Sequence, residues 1–114
     1  MQIVFFIPMS LSRSKAVLRA QVIKSLAHPS RIQMVAALEA GERCVCELAE
    51  VVGADMSTVS KHLALLKAAG LVSVEKRGLN QYYRLKCPCL ASFFDCVDGI
   101  NETHSKSMRA ACAR

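Results

Sequence analysis

Apolar positions recur at helical spacing through the first half of the chain. From Ser12 to Leu26, Val17, Leu18, Val22 and Leu26 form a broad apolar stripe that predicts an amphipathic helix. His28-Pro29-Ser30 ends it and opens a second helix, because proline suits a first turn where its missing N–H is not needed. Ile32, Val35, Ala36 and Leu38 carry that helix to Ala40, and Gly41 supplies its C-terminal cap. A third helix is predicted over Cys44–Val52, with Val45, Leu48, Val51 and Val52 facing inward and Gly53 ending it. After Ala54-Asp55-Met56, Ser57 reads as the N-cap of a fourth helix, Thr58–Ala69, which has Val59, Leu63 and Leu66 on one face and Gly70 at its close.

The period then changes to that of strands. Leu71–Arg77, with Val72 and Val74 on one face, and Gln81–Lys86 read as two strands joined at Gly78-Leu79-Asn80, a β-hairpin. Pro88 breaks the second strand. A last helix is predicted from Leu90 to Glu102, with Leu90, Phe93, Phe94, Val97 and Ile100 on one side. The expected organisation is an N-terminal extension over 1–11, one domain over 12–102 and a flexible tail over 103–114. The class is mainly α with a β-hairpin wing, a winged helix-turn-helix of order α-α-α-α-β-β-α.

Composition narrows the class. A chain of 114 residues, 53% of them apolar, fits one small domain that a partner subunit would help to bury. The net charge of +6 suits a polyanionic partner. No stretch reaches the roughly 18 apolar residues of a membrane span. The apolar start, Met1 to Pro8, lacks the basic flank and cleavage site of a signal peptide, and Met9 is an equally good start. The expectation is a cytoplasmic protein whose six cysteines are free thiols.

In a winged helix-turn-helix the second helix of the motif enters the major groove of double-stranded DNA. Ser57, Thr58, Ser60, Lys61 and His62 are its expected outward residues, short hydroxyls and cations able to bond phosphates or base edges. Ser57 would also aim the positive end of the helix dipole at a phosphate. At the wing, Lys76, Arg77, Asn80 and Gln81 would follow the backbone or a minor groove.

Leu26-Ala-His-Pro-Ser-Arg31, Gly41-Glu-Arg-Cys-Val-Cys-Glu-Leu48, Ser57-Thr-Val-Ser-Lys-His-Leu63 and Lys76-Arg-Gly-Leu-Asn-Gln-Tyr-Tyr-Arg-Leu85 together resemble the ArsR/SmtB family of metal-responsive repressors. The resemblance covers about Lys15 to Ile100, and Cys-Val-Cys-Glu-Leu is similar to its arsenical-sensing branch. It implies a homodimer built from the first and last helices, here Val17, Leu18, Val22, Leu90, Phe93, Phe94 and Val97, on a pseudo-palindromic operator. It also implies no enzymatic activity and no permanent cofactor, but an inorganic effector whose binding lowers DNA affinity.

Cys44 and Cys46 are the primary metal-site residues. Positions i and i+2 of a helix point about 200° apart, so the pair chelates one ion only if Cys44 lies outside the helix or binding unwinds the first turn. The helix N-terminus and Arg43 are expected to lower the thiol pKa values. Soft thiolates select As(III) or Sb(III), with Cd(II), Pb(II) or Cu(I) as alternatives. The family's fuller motif has a third cysteine where this chain has Ala49. The third ligand then comes from Cys87, Cys89 or Cys96, or is a small molecule such as water. Cys89 and Cys96 would share a helix face about 10.5 Å apart, so they could face a partner chain, join Cys87 in a second site, or simply pack; Cys112 reads as incidental. Asp95, Asp98, Glu102 and His104 do not reproduce the ligand pattern of the zinc-sensing branch, and His28 reads as structural. A repressor switched by thiol oxidation is the alternative. A thiol–disulfide enzyme is disfavoured by the absence of Cys-x-x-Cys beside a βαβ pattern, and a protein-contact module by the polar outer face of the fourth helix.

Overall fold

The computed structural model describes the backbone of residues 10–112 and side chains through 108. The choice between Met1 and Met9, and most of the 1–11 extension, lie outside the described residues. The element order is α1 (Arg13–Leu26), α2 (Pro29–Glu39), β1 (Arg43–Cys44), α3 (Val45–Val52), α4 (Met56–Ala68), β2 (Val72–Arg77), β3 (Asn80–Leu85) and α5 (Leu90–Cys112). This is the expected winged helix-turn-helix, with one added strand.

Helix boundaries follow from caps. Ser12 accepts the Lys15 N–H at the start of α1. His28 caps α2 through Nδ1, which accepts the Ser30 N–H at 3.1 Å, and Pro29 follows at the first helical position. Gly53 ends α3 in the left-handed conformation at φ 69°, where a Cβ would be disfavoured. The α4 cap is Asp55, not Ser57. Its Oδ1 accepts the Thr58 N–H at 2.7 Å and the Ser57 hydroxyl at 2.9 Å, so the helix begins at Met56 with Ser57 already inside. A carboxylate at that terminus accepts more strongly than a hydroxyl and complements the helix dipole.

The core lies among α2, α3, α4 and the sheet. Met34, Val35, Leu48, Val59, Leu63 and Leu66 are fully buried, joined by Leu26, Leu38, Leu71, Val72 and Tyr83. Each large aliphatic side chain there contributes about 1.5–3 kcal/mol through burial. Val51, expected inward, is exposed, because Val45, Leu48 and Val52 already fill the face of α3 that meets the core.

The sheet has order β1-β3-β2, antiparallel throughout. The hairpin turn is two residues, Gly78-Leu79, rather than three. Gly78, at φ 62°, takes the first central position, which a type II′ turn reserves for glycine, and Asn80 already pairs with Arg77. The unexpected strand, β1, pairs Arg43 with Tyr83 and Cys44 with Tyr82. Two residues are too few for a period-2 pattern to show.

Helix α5 does not stop at Glu102; it continues to Cys112, so residues expected as a flexible tail are helical. Of α5, Leu90 and Phe94 pack on the core, both near its start. Among the described residues no helix is long and apolar enough to cross a membrane.

Candidate functional site: a thiol pair beneath a winged helix

The thiol pair sits where a strand becomes a helix. Cys44 is the N-cap of α3, with extended φ −85° and ψ 166°, and Cys46 is in its first turn. Because Cys44 is outside the helix, the two side chains converge, and their sulfurs lie 2.9 Å apart. The first of the two expected alternatives therefore holds, and no unwinding is needed to bring the sulfurs together. Cys44 is buried and Cys46 exposed. Glu47 fastens the turn, its Oε1 accepting the Cys44 N–H at 2.9 Å. That bond holds the Glu47 carboxyl below its ordinary range, with Arg43 adding a smaller attraction.

The expected lowering of thiol pKa fails at Cys44. Its hydrogen bond with Cys46 is the largest influence and raises the value; the Glu47 backbone N–H opposes this, and desolvation adds to the rise. Arg43 turns its guanidinium to the Glu42 carbonyl at 3.0 Å rather than to the sulfur.

Among the described residues the other cysteines do not complete the pair. Cys87 is half-buried against the core, while Cys89 and Cys96 are exposed. Among the described residues no group of three or more His, Cys, Asp or Glu side chains is placed to hold a metal ion. Ala49, at the position of the missing sulfur, packs against the core. One protomer thus presents two convergent sulfurs.

On α4, Ser57, Thr58, Ser60 and Lys61 are exposed. His62 is not on that face. It is half-buried, its ring 4.5 Å from that of His28, and its Nδ1 lies 3.0 Å from Arg31 Nη1. Arg31 can only donate, so Nδ1 is the acceptor and the ring is neutral with its proton on Nε2. Desolvation first, then the charges of His28 and Arg31, lower the His62 pKa. Arg31 Nε also donates to the Ser25 carbonyl at 2.6 Å, so one guanidinium ties the end of α1 to α4. Two of the outward assignments thus change: His62 turns inward, and the α4 terminus is held by Asp55 instead of standing open to a phosphate.

On the wing, Lys76, Arg77, Asn80 and Gln81 are all exposed. Arg77 is engaged by Glu42 and Glu75 and lies 4.7 Å from the centre of the Tyr82 ring. Of the expected dimer residues, Val17, Leu18 and Phe93 are exposed, Val97 is half-buried, and Val22, Leu90 and Phe94 pack at least partly on the protomer's own core.

Sequence reasoning missed Glu42, Glu47, Arg31 and Arg84. Glu47 had a local signal, an acidic residue at the third helical position after the cap. Glu42 had none, since its partners are 35 and 42 positions away.

Comparison with known proteins agrees with this architecture. Residues 28–74 match the family described as bacterial regulatory protein, arsR family. An HTH-type transcriptional regulator of Mycobacterium tuberculosis is 35% identical over 94 residues, covering 82% of this chain and 42% of the relative. The arsenical resistance operon repressor of Escherichia coli is 41% identical over 66 residues, covering 57% of this chain and 56% of the repressor. The chain therefore spans about half the length of these curated relatives. Among solved structures, a homodimeric winged helix-turn-helix DNA-binding domain from Mycobacterium bovis, titled a possible ArsR-family regulator, aligns with TM-score 0.69 at 34% identity. It covers 86% of this chain and 94% of that domain. The chain belongs to the ArsR/SmtB family.

Proposed function

We propose that the protein is a homodimeric, DNA-binding transcriptional repressor that releases its operator when Cys44 and Cys46 bind a thiophilic ion, with As(III) as first candidate. The observation that carries the effector reading is the 2.9 Å separation of one buried and one exposed sulfur at the joint between β1 and α3. Metal–thiolate bonds of about 2.3 Å set their two sulfurs somewhat wider than this contact, so a small opening of the side chains lets the pair share one ion.

For arsenous acid the exchange balances as As(OH)3 plus two thiols giving a bis-thiolate As–OH species and two waters. Both thiol protons leave with displaced hydroxide, and no electrons move. The two-sulfur count supports a small third ligand within one protomer. Because Asp95, Asp98, Glu102 and His104 do not reproduce the ligand pattern of the zinc-sensing branch, zinc ranks below As(III), Sb(III), Cd(II) and Pb(II).

The coupling follows from the elements that meet at Cys44. Replacing the S–H···S contact by a bridge alters the N-cap of α3, which packs against α4, and shifts β1, which pairs with β3 of the wing. Both proposed DNA-contacting elements then feel one event. Ser57, Thr58, Ser60 and Lys61 supply the groove contacts, with Lys76, Arg77, Asn80 and Gln81 on the wing.

The test is fluorescence anisotropy with a duplex spanning the promoter of the protein's own gene. Reduced protein should bind in a salt-sensitive way, arsenite should release the duplex, and C44S/C46S should bind DNA but ignore arsenite. An arsenite response surviving in the double variant would exclude this site; release by cadmium or lead alone would reassign the ion, and release by peroxide alone would favour a redox switch.

A further inference from the structure

The wing carries a charge arrangement that the thiol site does not explain. Glu42 lies just ahead of β1. Its Oε1 accepts Arg77 Nη1 at 2.6 Å, and its Oε2 accepts Arg77 Nη2 at 3.0 Å and Arg84 Nη2 at 3.2 Å. Arg77 Nη2 also reaches Glu75 Oε1 at 2.7 Å. One carboxylate thus takes a two-pronged bond from one arginine and a single bond from another. The three side chains come from three segments: the α2–β1 connection, the end of β2 and the body of β3.

A carboxylate and a phosphate offer a guanidinium nearly the same pair of acceptor oxygens. We propose that Glu42 is a positioning residue that stands in for a DNA phosphate: it holds Arg77 and Arg84 ready in the DNA-free protein, gives them up to the duplex backbone when the wing docks, and so lowers DNA affinity. This rests on the DNA-binding reading above. The Arg77 and Arg84 side chains are 43% and 65% exposed, so phosphate can reach them without unfolding the hairpin. Ion pairs this exposed are weak and screened by salt, which makes their exchange for phosphate feasible. Each arginine transferred also releases condensed cations from the DNA.

The experiment uses a 30-base-pair duplex of mixed sequence, because the phosphate contribution is independent of sequence. Anisotropy titrations between 50 and 200 mM salt compare wild type, E42Q, E50Q and E42Q/R77Q/R84Q, each checked for folding by circular dichroism. E50Q makes the same change of charge on the exposed face of α3. E42Q should bind several-fold tighter at the low-salt end and steepen the log–log salt slope by roughly one to two. E50Q should change much less, and the triple variant should lose the gain. Affinity and slope in E42Q equal to wild type, a gain matched by E50Q, or a gain kept by the triple variant would each overturn the proposal. Wild type that binds neither this duplex nor the promoter would instead overturn the DNA-binding reading itself.

Discussion

Cys44 and Cys46 touch through sulfur yet present different chemistry to solvent. Cys44 is 8% exposed and its thiol pKa is raised, first by the bond to Cys46, so little nucleophilic thiolate is available there. Cys46 is exposed. With limiting iodoacetamide, peptide mass spectrometry should therefore find Cys46, Cys89 and Cys96 alkylated well before Cys44, and arsenite should protect Cys46 but not Cys89. Equal rates at Cys44 and Cys46 would contradict the geometry. At the same scale, Leu48, one turn after Cys44 on α3, is fully buried in the core. Leu48→Ala should cost about 2–5 kcal/mol in urea unfolding, and a loss under 1 kcal/mol would show that α3 does not anchor the core. The cysteine pair was legible in the sequence because its spacing posed a geometric problem with two solutions. Which solution applied was not legible, since a two-residue strand leaves no periodic trace and its pairing with Tyr82 and Tyr83 is non-local.

The elements were legible where they had to bury a continuous face. Helices α1 to α4 and the hairpin all form where the apolar pattern places them, although within them Val17, Leu18, Ile32 and Val51 are exposed and Met34 is buried; the other errors were decided by single polar groups. Asp55 displaced Ser57 as the α4 cap because an aspartate oxygen could serve both the Thr58 N–H and the Ser57 hydroxyl. His62 left the DNA-facing set because Arg31 and His28, distant in sequence, draw its ring inward. That junction should make stability depend on pH. The folded-state pKa of His62 is lowered, so between the folded and unfolded values the unfolded chain binds more protons. The contribution is complete above the ordinary histidine pKa near 6.5 and disappears as pH falls through the lower folded value. Protonation also places a donor where Arg31 already donates. Thermal midpoints of the wild type should fall between pH 7.5 and 5.5, and His62→Asn, which keeps an acceptor near the Nδ1 position without titrating, should flatten that fall. A slope unchanged in the variant would locate the pH response elsewhere.

At the scale of the whole molecule, α1 and α5 are the elements a lone protomer leaves unfinished. Leu18 is 62% exposed and Ile23 56% on α1, while Ile100 is 67% and Met108 54% exposed on α5. The long α5 meets the core near its start and then continues to Cys112. Its extension past Glu102 could not be read locally, because the later residues alternate polar and small side chains whose helicity needs support from outside the segment. A second copy laying its own α1 and α5 against these faces would cover both at once through a two-fold interface, and would present two α4 helices to one duplex. Such interfaces concentrate their stability in a few aromatic and large aliphatic anchors, so single charges placed there should act strongly. Phe93→Glu and Leu18→Glu lie outside the buried core and should leave the circular dichroism spectrum unchanged. By sedimentation velocity at micromolar concentration, wild type should run as a dimer and each variant should shift toward monomer. Each should also lose affinity for a promoter duplex far more than for a half-site, since only the dimer engages two grooves. A variant that remains dimeric at low micromolar concentration would move the interface off these two helices.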